Sequence, residues 1–99
     1  MGKFPYVRIL GISKVERGRV YLPKSVRERL GPSVTAYVSG GRVVVAEGSG
    51  SQVDGRGRVS LGRKILEYLG VEKGDMVVFL EKGRKIYLAK ADRVNAEIE

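Results

Sequence analysis

Arg17-Gly18-Arg19-Val20 occurs once, and 39 positions later the chain writes it again as Arg56-Gly57-Arg58-Val59. The agreement continues outward at the same spacing. Leu22 matches Leu61, Lys24 matches Arg63, Val26 matches Ile65, Glu28 matches Glu67, Leu30 matches Leu69 and Gly31 matches Gly70. With the spacing enlarged to 43, Val43-Val44-Val45-Ala46 matches Ile86-Tyr87-Leu88-Ala89. A tetrapeptide, an apolar pattern and a glycine stop in the same order mark an internal duplication. Repeat 1 covers residues 6–47 and repeat 2 covers 52–90, followed by a short tail, 91–99. Glu47-Gly48-Ser49-Gly50-Ser51 joins them with a flexible, polar composition.

Each repeat reads as strand, strand, short helix, strand, strand. Val7-Arg8-Ile9-Leu10-Gly11-Ile12 is rich in branched apolar residues, as strands are. Arg17-Gly18 reads as a turn, with Gly18 and Gly57 supplying a positive φ or a close backbone approach. In Arg19-Val20-Tyr21-Leu22 the apolar Val20 and Leu22 face one side. Pro23 suits the first turn of a helix, where its missing N–H costs nothing. Val26 and Leu30 then share a helix face. Gly31 and Gly70 are expected to end the helices in the left-handed conformation. Gly62 stands where repeat 1 has Pro23, which leaves the second helix start less well fixed. Gly40-Gly41 and Lys82-Gly83, each between apolar alternations, signal hairpins. Two such units are too small to bury their apolar faces separately. The fold class expected is therefore mainly β with two short helices. The two repeats would form one closed, pseudo-two-fold barrel, free of exposed edges.

Composition narrows the function. The 99 residues hold 19 Lys plus Arg against 11 acids, a formal charge of +8 that attracts polyanions, nucleic acid first. Repeat 1 dominates, because residues 1–50 carry nine basic and three acidic side chains and residues 51–99 carry ten and eight. An asymmetric footprint on DNA is the corollary. The chain has neither Cys nor His, which removes disulfides, thiolate metal sites and the commonest general base. No Ser sits in a nucleophile motif, and Asp75 reads as closing a turn before a strand. No catalytic role, cofactor or metal is expected. No apolar run reaches the roughly 20 residues of a membrane span, and no secretory signal precedes the first strand, so a cytoplasmic location is expected.

The order of motifs resembles the SpoVT–AbrB superfamily, which includes MazE-like antitoxins. Repeat 2 shows Val53-Asp54-Gly55-Arg56-Gly57-Arg58-Val59-Ser60-Leu61, then Leu69-Gly70 and Gly74-Asp75. Repeat 1 shows Gly18-Arg19-Val20-Tyr21-Leu22-Pro23-Lys24-Ser25-Val26-Arg27, then Leu30-Gly31. The resemblance implies a swapped-hairpin (AbrB-like) barrel, here a dimer fused into one chain, with double-psi threading as the alternative. It also implies binding of double-stranded DNA as a transcription regulator, or as the DNA-binding part of a toxin–antitoxin pair; the remaining alternative is a barrel scaffold or interaction module that binds no DNA. Repeat 1 departs from the pattern, with Val15 read at the place of the motif's Asp. Repeat 2 departs with Gly62 for Pro and Leu66 for Arg.

Three basic positions recur between repeats: Arg17 with Arg56, Arg19 with Arg58, and Lys24 with Arg63. These six are the candidate phosphate contacts, on one face across a pseudo-palindromic site. Lys14, Arg27 and Lys64 are secondary candidates, Arg27 by the resemblance. For Arg19 and Arg58 a rival reading stands, an ion pair to Glu28 and Glu67. Tyr21, Tyr37 and Tyr87 fall within strands and are expected to pack, leaving no aromatic platform for single-stranded RNA. Lys82, Arg84 and Lys85 read as a solubilising hairpin tip. A toxin partner is less favoured, because the tail offers only Val94, Ala96 and Ile98 as anchors; the same tail is a candidate for self-association.

Overall fold

A computed structural model describes residues 7–94. Repeat 1 runs β1 (Val7–Lys14), β2 (Arg19–Tyr21), α1 (Lys24–Leu30), β3 (Ser33–Ser39) and β4 (Arg42–Glu47). Repeat 2 runs β5 (Ser51–Gln52), β6 (Arg58–Ser60), α2 (Arg63–Leu69), β7 (Met76–Lys82) and β8 (Lys85–Lys90), with a 3₁₀ turn at Ala91–Arg93. Both repeats thus have the expected order of elements. Between them the joint is held in place by the Gly48 N–H, which donates to the Ser33 carbonyl at 3.2 Å. Asp75 closes the turn before β7, its carboxylate accepting from the Glu72 N–H at 2.8 Å. No helix among the described residues is long and apolar enough to cross a membrane.

The strands form a six-stranded antiparallel sheet, ordered β1-β7-β8-β4-β3-β5, and a separate ribbon of β2 with β6. Each repeat lends its first strand to the other. β1 pairs with β7 of repeat 2, and β5 pairs with β3 of repeat 1. The register locates a pseudo-two-fold axis. In the ribbon Val20 lies opposite Val59, its own equivalent at spacing 39. In the sheet Val44 lies opposite Tyr87, its equivalent at spacing 43. An axis through both pairs relates the repeats and runs from sheet to ribbon.

The core fills the space between them. Val15, Val20, Val26, Val43, Val59, Val77 and Phe79 are almost fully buried there. The expected closure is not found, because among the described residues β1 and β5 are the edges of an open sheet. The reason is length. β2 and β6 have three residues each and run directly into Leu22-Pro23 and Leu61-Gly62. Their ladder is complete once they have paired with each other.

Two glycines end the helices in different ways. Gly70 ends α2 in the left-handed conformation, as expected, at φ 73° and ψ 31°. Gly31 ends α1 at φ 79° but ψ −161°. Pro32 follows it, and a residue before proline is steered away from helical ψ, whether right- or left-handed, into an extended geometry that only glycine accepts at this φ. The α2 start tolerates the missing proline, and α2 has the same length as α1, seven residues. On the outer face of the sheet, Val94 packs against Val78, Leu80 and Ala89. The other tail anchors, Ala96 and Ile98, lie outside the described residues.

Gly11 sits at a bulge in β1, beneath Pro23. A Cβ on Gly11 would lie 2.4 Å from Pro23 Cγ and 2.7 Å from its Cβ. Both contacts are closer than a Cβ tolerates, so the ring or the strand must shift, and Gly11→Ala is expected to cost about 1–3 kcal/mol by overpacking. Urea denaturation checks this: the midpoint should fall with the slope unchanged.

Candidate nucleic-acid interface

The duplicated Arg-Gly-Arg-Val lies in two hairpin turns of different length. In repeat 1 the Glu16 and Arg19 backbones bond reciprocally, at 3.0 and 2.9 Å. Arg17 (φ 55°) and Gly18 (φ 75°) form the two-residue turn, both with positive φ as a type I′ turn requires. In repeat 2 the Asp54 N–H donates to the Arg58 carbonyl at 2.9 Å, and the Gly57 N–H donates to the Asp54 carbonyl at 3.0 Å. Three residues, Gly55-Arg56-Gly57, make that turn. Repeat 1 is therefore one residue shorter here, and the expected alignment of Val15 with Asp54 is corrected. Glu16 holds the place of Asp54. Val15 is a core residue whose N–H bonds the Asp75 carbonyl, as Val53 bonds that of Pro32.

The ribbon carries these turns to one face. Alternation buries Val20 and Val59 and turns Arg19 and Tyr21, Arg58 and Ser60 outward. The axis leaves the molecule between them. Arg19 and Arg58 do meet a carboxylate, but it is Asp54, not Glu28 or Glu67. Arg58 Nε lies 3.0 Å from Asp54 Oδ2, and Arg19 Nη1 lies 3.8 Å from the same oxygen. Asp54 begins the turn, so its other oxygen already accepts the Arg56 and Arg58 N–H groups, both at 2.9 Å. Glu28 and Glu67 instead point to solvent from the helices. The Arg58 N–H above all, then the Arg56 N–H and the Arg58 side chain, hold the Asp54 carboxyl below its ordinary value of 3.8.

Each turn is flanked by the helix of the opposite half in a two-fold arrangement. The Leu22 N–H donates to the Gly57 carbonyl at 2.8 Å, and the Leu61 N–H to the Gly18 carbonyl at 3.1 Å. These bonds set the start of α1, with Lys24, beside the Arg56 turn, and the start of α2, with Arg63 and Lys64, beside the Arg17 turn. The guanidinium of Arg27 lies over Gly57, and Leu66, its repeat equivalent, lies over Gly18. Arg17, Arg56, Lys24, Arg63, Lys64 and Arg27 are all exposed. Lys14, at the end of β1, lines a surface hollow with Glu16, Arg19, Tyr21 and Arg58. Arg8 and Arg29 stand apart, both engaged with Glu81 at the sheet rim.

Tyr21 corrects the expectation that the strand tyrosines pack. It is 51% exposed on the ribbon face, and Tyr37 is exposed on the sheet. The signal was present, since Val20 and Leu22 facing inward leave Tyr21 facing out. Tyr87 is half-buried, with Arg42 over its ring at 5.7 Å. Among the described residues no group of acids could hold a metal ion. In comparisons with known proteins, no family model, no curated protein and no solved structure matches the chain.

Because folding lowers the Asp54 pKa, its charge stabilises the fold above the ordinary carboxylate value, and that contribution disappears as pH falls through the lowered folded value. Asp54→Asn keeps a carbonyl acceptor for the two N–H groups but loses the charge. Urea midpoints should show the variant less stable than wild type at neutral pH. The gap should close as pH drops below about 4.

Proposed function

We propose that this chain binds double-stranded DNA as a transcription regulator, through the ribbon face and the helix starts beside it. One observation carries this reading: the pseudo-two-fold axis emerges between Arg19 and Arg58, with matched basic turns and helix starts on either side. Duplex DNA has local two-fold axes, and its two backbones run past such an axis as equivalent rows of phosphates. Two symmetric basic clusters fit two strands, whereas a single patch would fit one. Asp54 does not remove the arginines from use. Arg58 engages it through Nε and keeps further donors, and Arg19 stands at 3.8 Å. The formal charge of +8 supplies the long-range attraction.

The family reading belongs with this one. We take the chain as two AbrB-like units fused into a single swapped-hairpin domain of the SpoVT–AbrB kind. The exchange of β1 and β5 between repeats and the contact of each helix with the other repeat's turn support it.

The test is fluorescence anisotropy with labelled duplex over a salt series. Six phosphate contacts give a log–log slope of roughly −5. Arg17→Ala with Arg56→Ala should weaken binding to all sequences and flatten the slope by about 2. Absence of binding to any duplex at low salt overturns the reading, and an unchanged slope in the double variant removes those two arginines from the interface.

A further inference from the structure

The two ends of the ribbon face are not chemically alike, and the differences all fall in matched places. One end holds the Asp54 turn. Tyr21 is there, directly across the ribbon from Arg58, with Arg27 over Gly57 and Lys24 at the helix start. At the other end, the Glu16 turn has Ser60 in the place of Tyr21, across from Arg19, and Leu66 in the place of Arg27, over Gly18. The symmetric residues supply charge to both ends. The asymmetric ones give one end an exposed aromatic ring and an extra guanidinium. The other end has neither, and carries Lys64 where the first has Ser25. Ser60 also carries a hydroxyl and is also exposed. What distinguishes the pair is therefore the ring.

We propose that this face takes its DNA in one orientation, on a non-palindromic site, and that the Tyr21 ring is the residue that sets the direction. The inference rests on the duplex-binding reading above. Rotation by half a turn about the axis would leave the charges matched to phosphates but would exchange ring for hydroxyl and guanidinium for an isobutyl group. On a palindrome the two orientations have equal energy. On a site whose halves differ, the ring and Arg27 contact one half and cannot contact the other. The phosphate contacts position the protein and the asymmetric side chains give it polarity.

The chain contains no cysteine, so a single introduced thiol reports on one place only. Glu28 and Glu67 are repeat equivalents and exposed on α1 and α2. Glu28→Cys and Glu67→Cys, each carrying an iron chelate that cuts DNA locally, are bound to a duplex selected by the wild-type protein from a random-sequence pool. The expected consensus is non-palindromic. One probe should cut near one end of it and the second near the opposite end, with an end-to-end preference on the order of tenfold, as a single lost base contact gives. Tyr21→Ser and Ser60→Tyr each make the two ends alike in the ring, one by removing it and the other by adding it, and each should lower the preference several-fold; with Arg27→Leu added, which removes the second difference, it should come close to one. Tyr21→Phe keeps the ring and should keep the preference. Equal cutting of both ends by both probes overturns the proposal, as does a preference left unchanged by Tyr21→Ser and by Ser60→Tyr. Failure of the wild type to retain any duplex at low salt is a separate result, which removes the duplex-binding reading itself.

Discussion

Val20 facing Val59 is the contact on which the rest of the molecule depends. Each side chain is 1% exposed, and each belongs to a strand of only three residues. A strand that short is not stable alone, and the ladder bonds within its own repeat reach only its first residue, across the turn. Pairing with its copy satisfies both backbones at once and drives both valines into the common core. Burying a valine stabilises by roughly 1.5–3 kcal/mol, so separating the repeats would forfeit both burials and leave both short strands without their ladder. The exchange of β1 and β5 follows from the same constraint. Once the ribbon fixes the repeats about an axis, the chain leaving each short strand is already committed to the far side.

The same pairing decides what solvent sees. Because side chains alternate along a strand, burying Val20 and Val59 obliges Arg19, Tyr21, Arg58 and Ser60 to face out. Charge on that face is a consequence of the core and needs no further device to orient it. Asp54 then refines the arrangement. By accepting two backbone N–H groups it shapes the turn, and by meeting Arg58 and Arg19 it restrains guanidinium groups that would otherwise sweep a wide volume. Ordering them beforehand lowers the entropy lost on binding.

Much of this was legible in the sequence, because the repeat doubled every local signal. Val20 and Leu22 gave the alternation, Gly40-Gly41 the hairpin, and Leu30-Gly31-Pro32 the end of a helix. What was not legible involved counting residues in space. The two turns differ by one residue, a change that keeps Arg-Gly-Arg-Val in line and so hides Glu16 as the counterpart of Asp54. The Arg19 ion pair escaped because Asp54 reaches it across the ribbon, a contact set by register and not by spacing, whereas the Arg58 pair is local, four residues along the chain. The open sheet escaped because edge pairing depends on the lengths of β2 and β6, which periodicity over three residues does not define. Tyr21 was visible in the alternation, but aromatic residues in strands usually pack, and that general preference prevailed over the local pattern.

The Gly48-Ser49-Gly50 joint, tied down at Ser33, has a consequence for how the protein meets dilution. Assemblies of separate identical subunits come apart as concentration falls, and their partners exchange. Here the two halves stay at a fixed, high effective concentration however few molecules are present. A substitution in one half also appears once per molecule and not twice. Each half of the surface is therefore free to drift on its own, while the shared core holds both to the same shape.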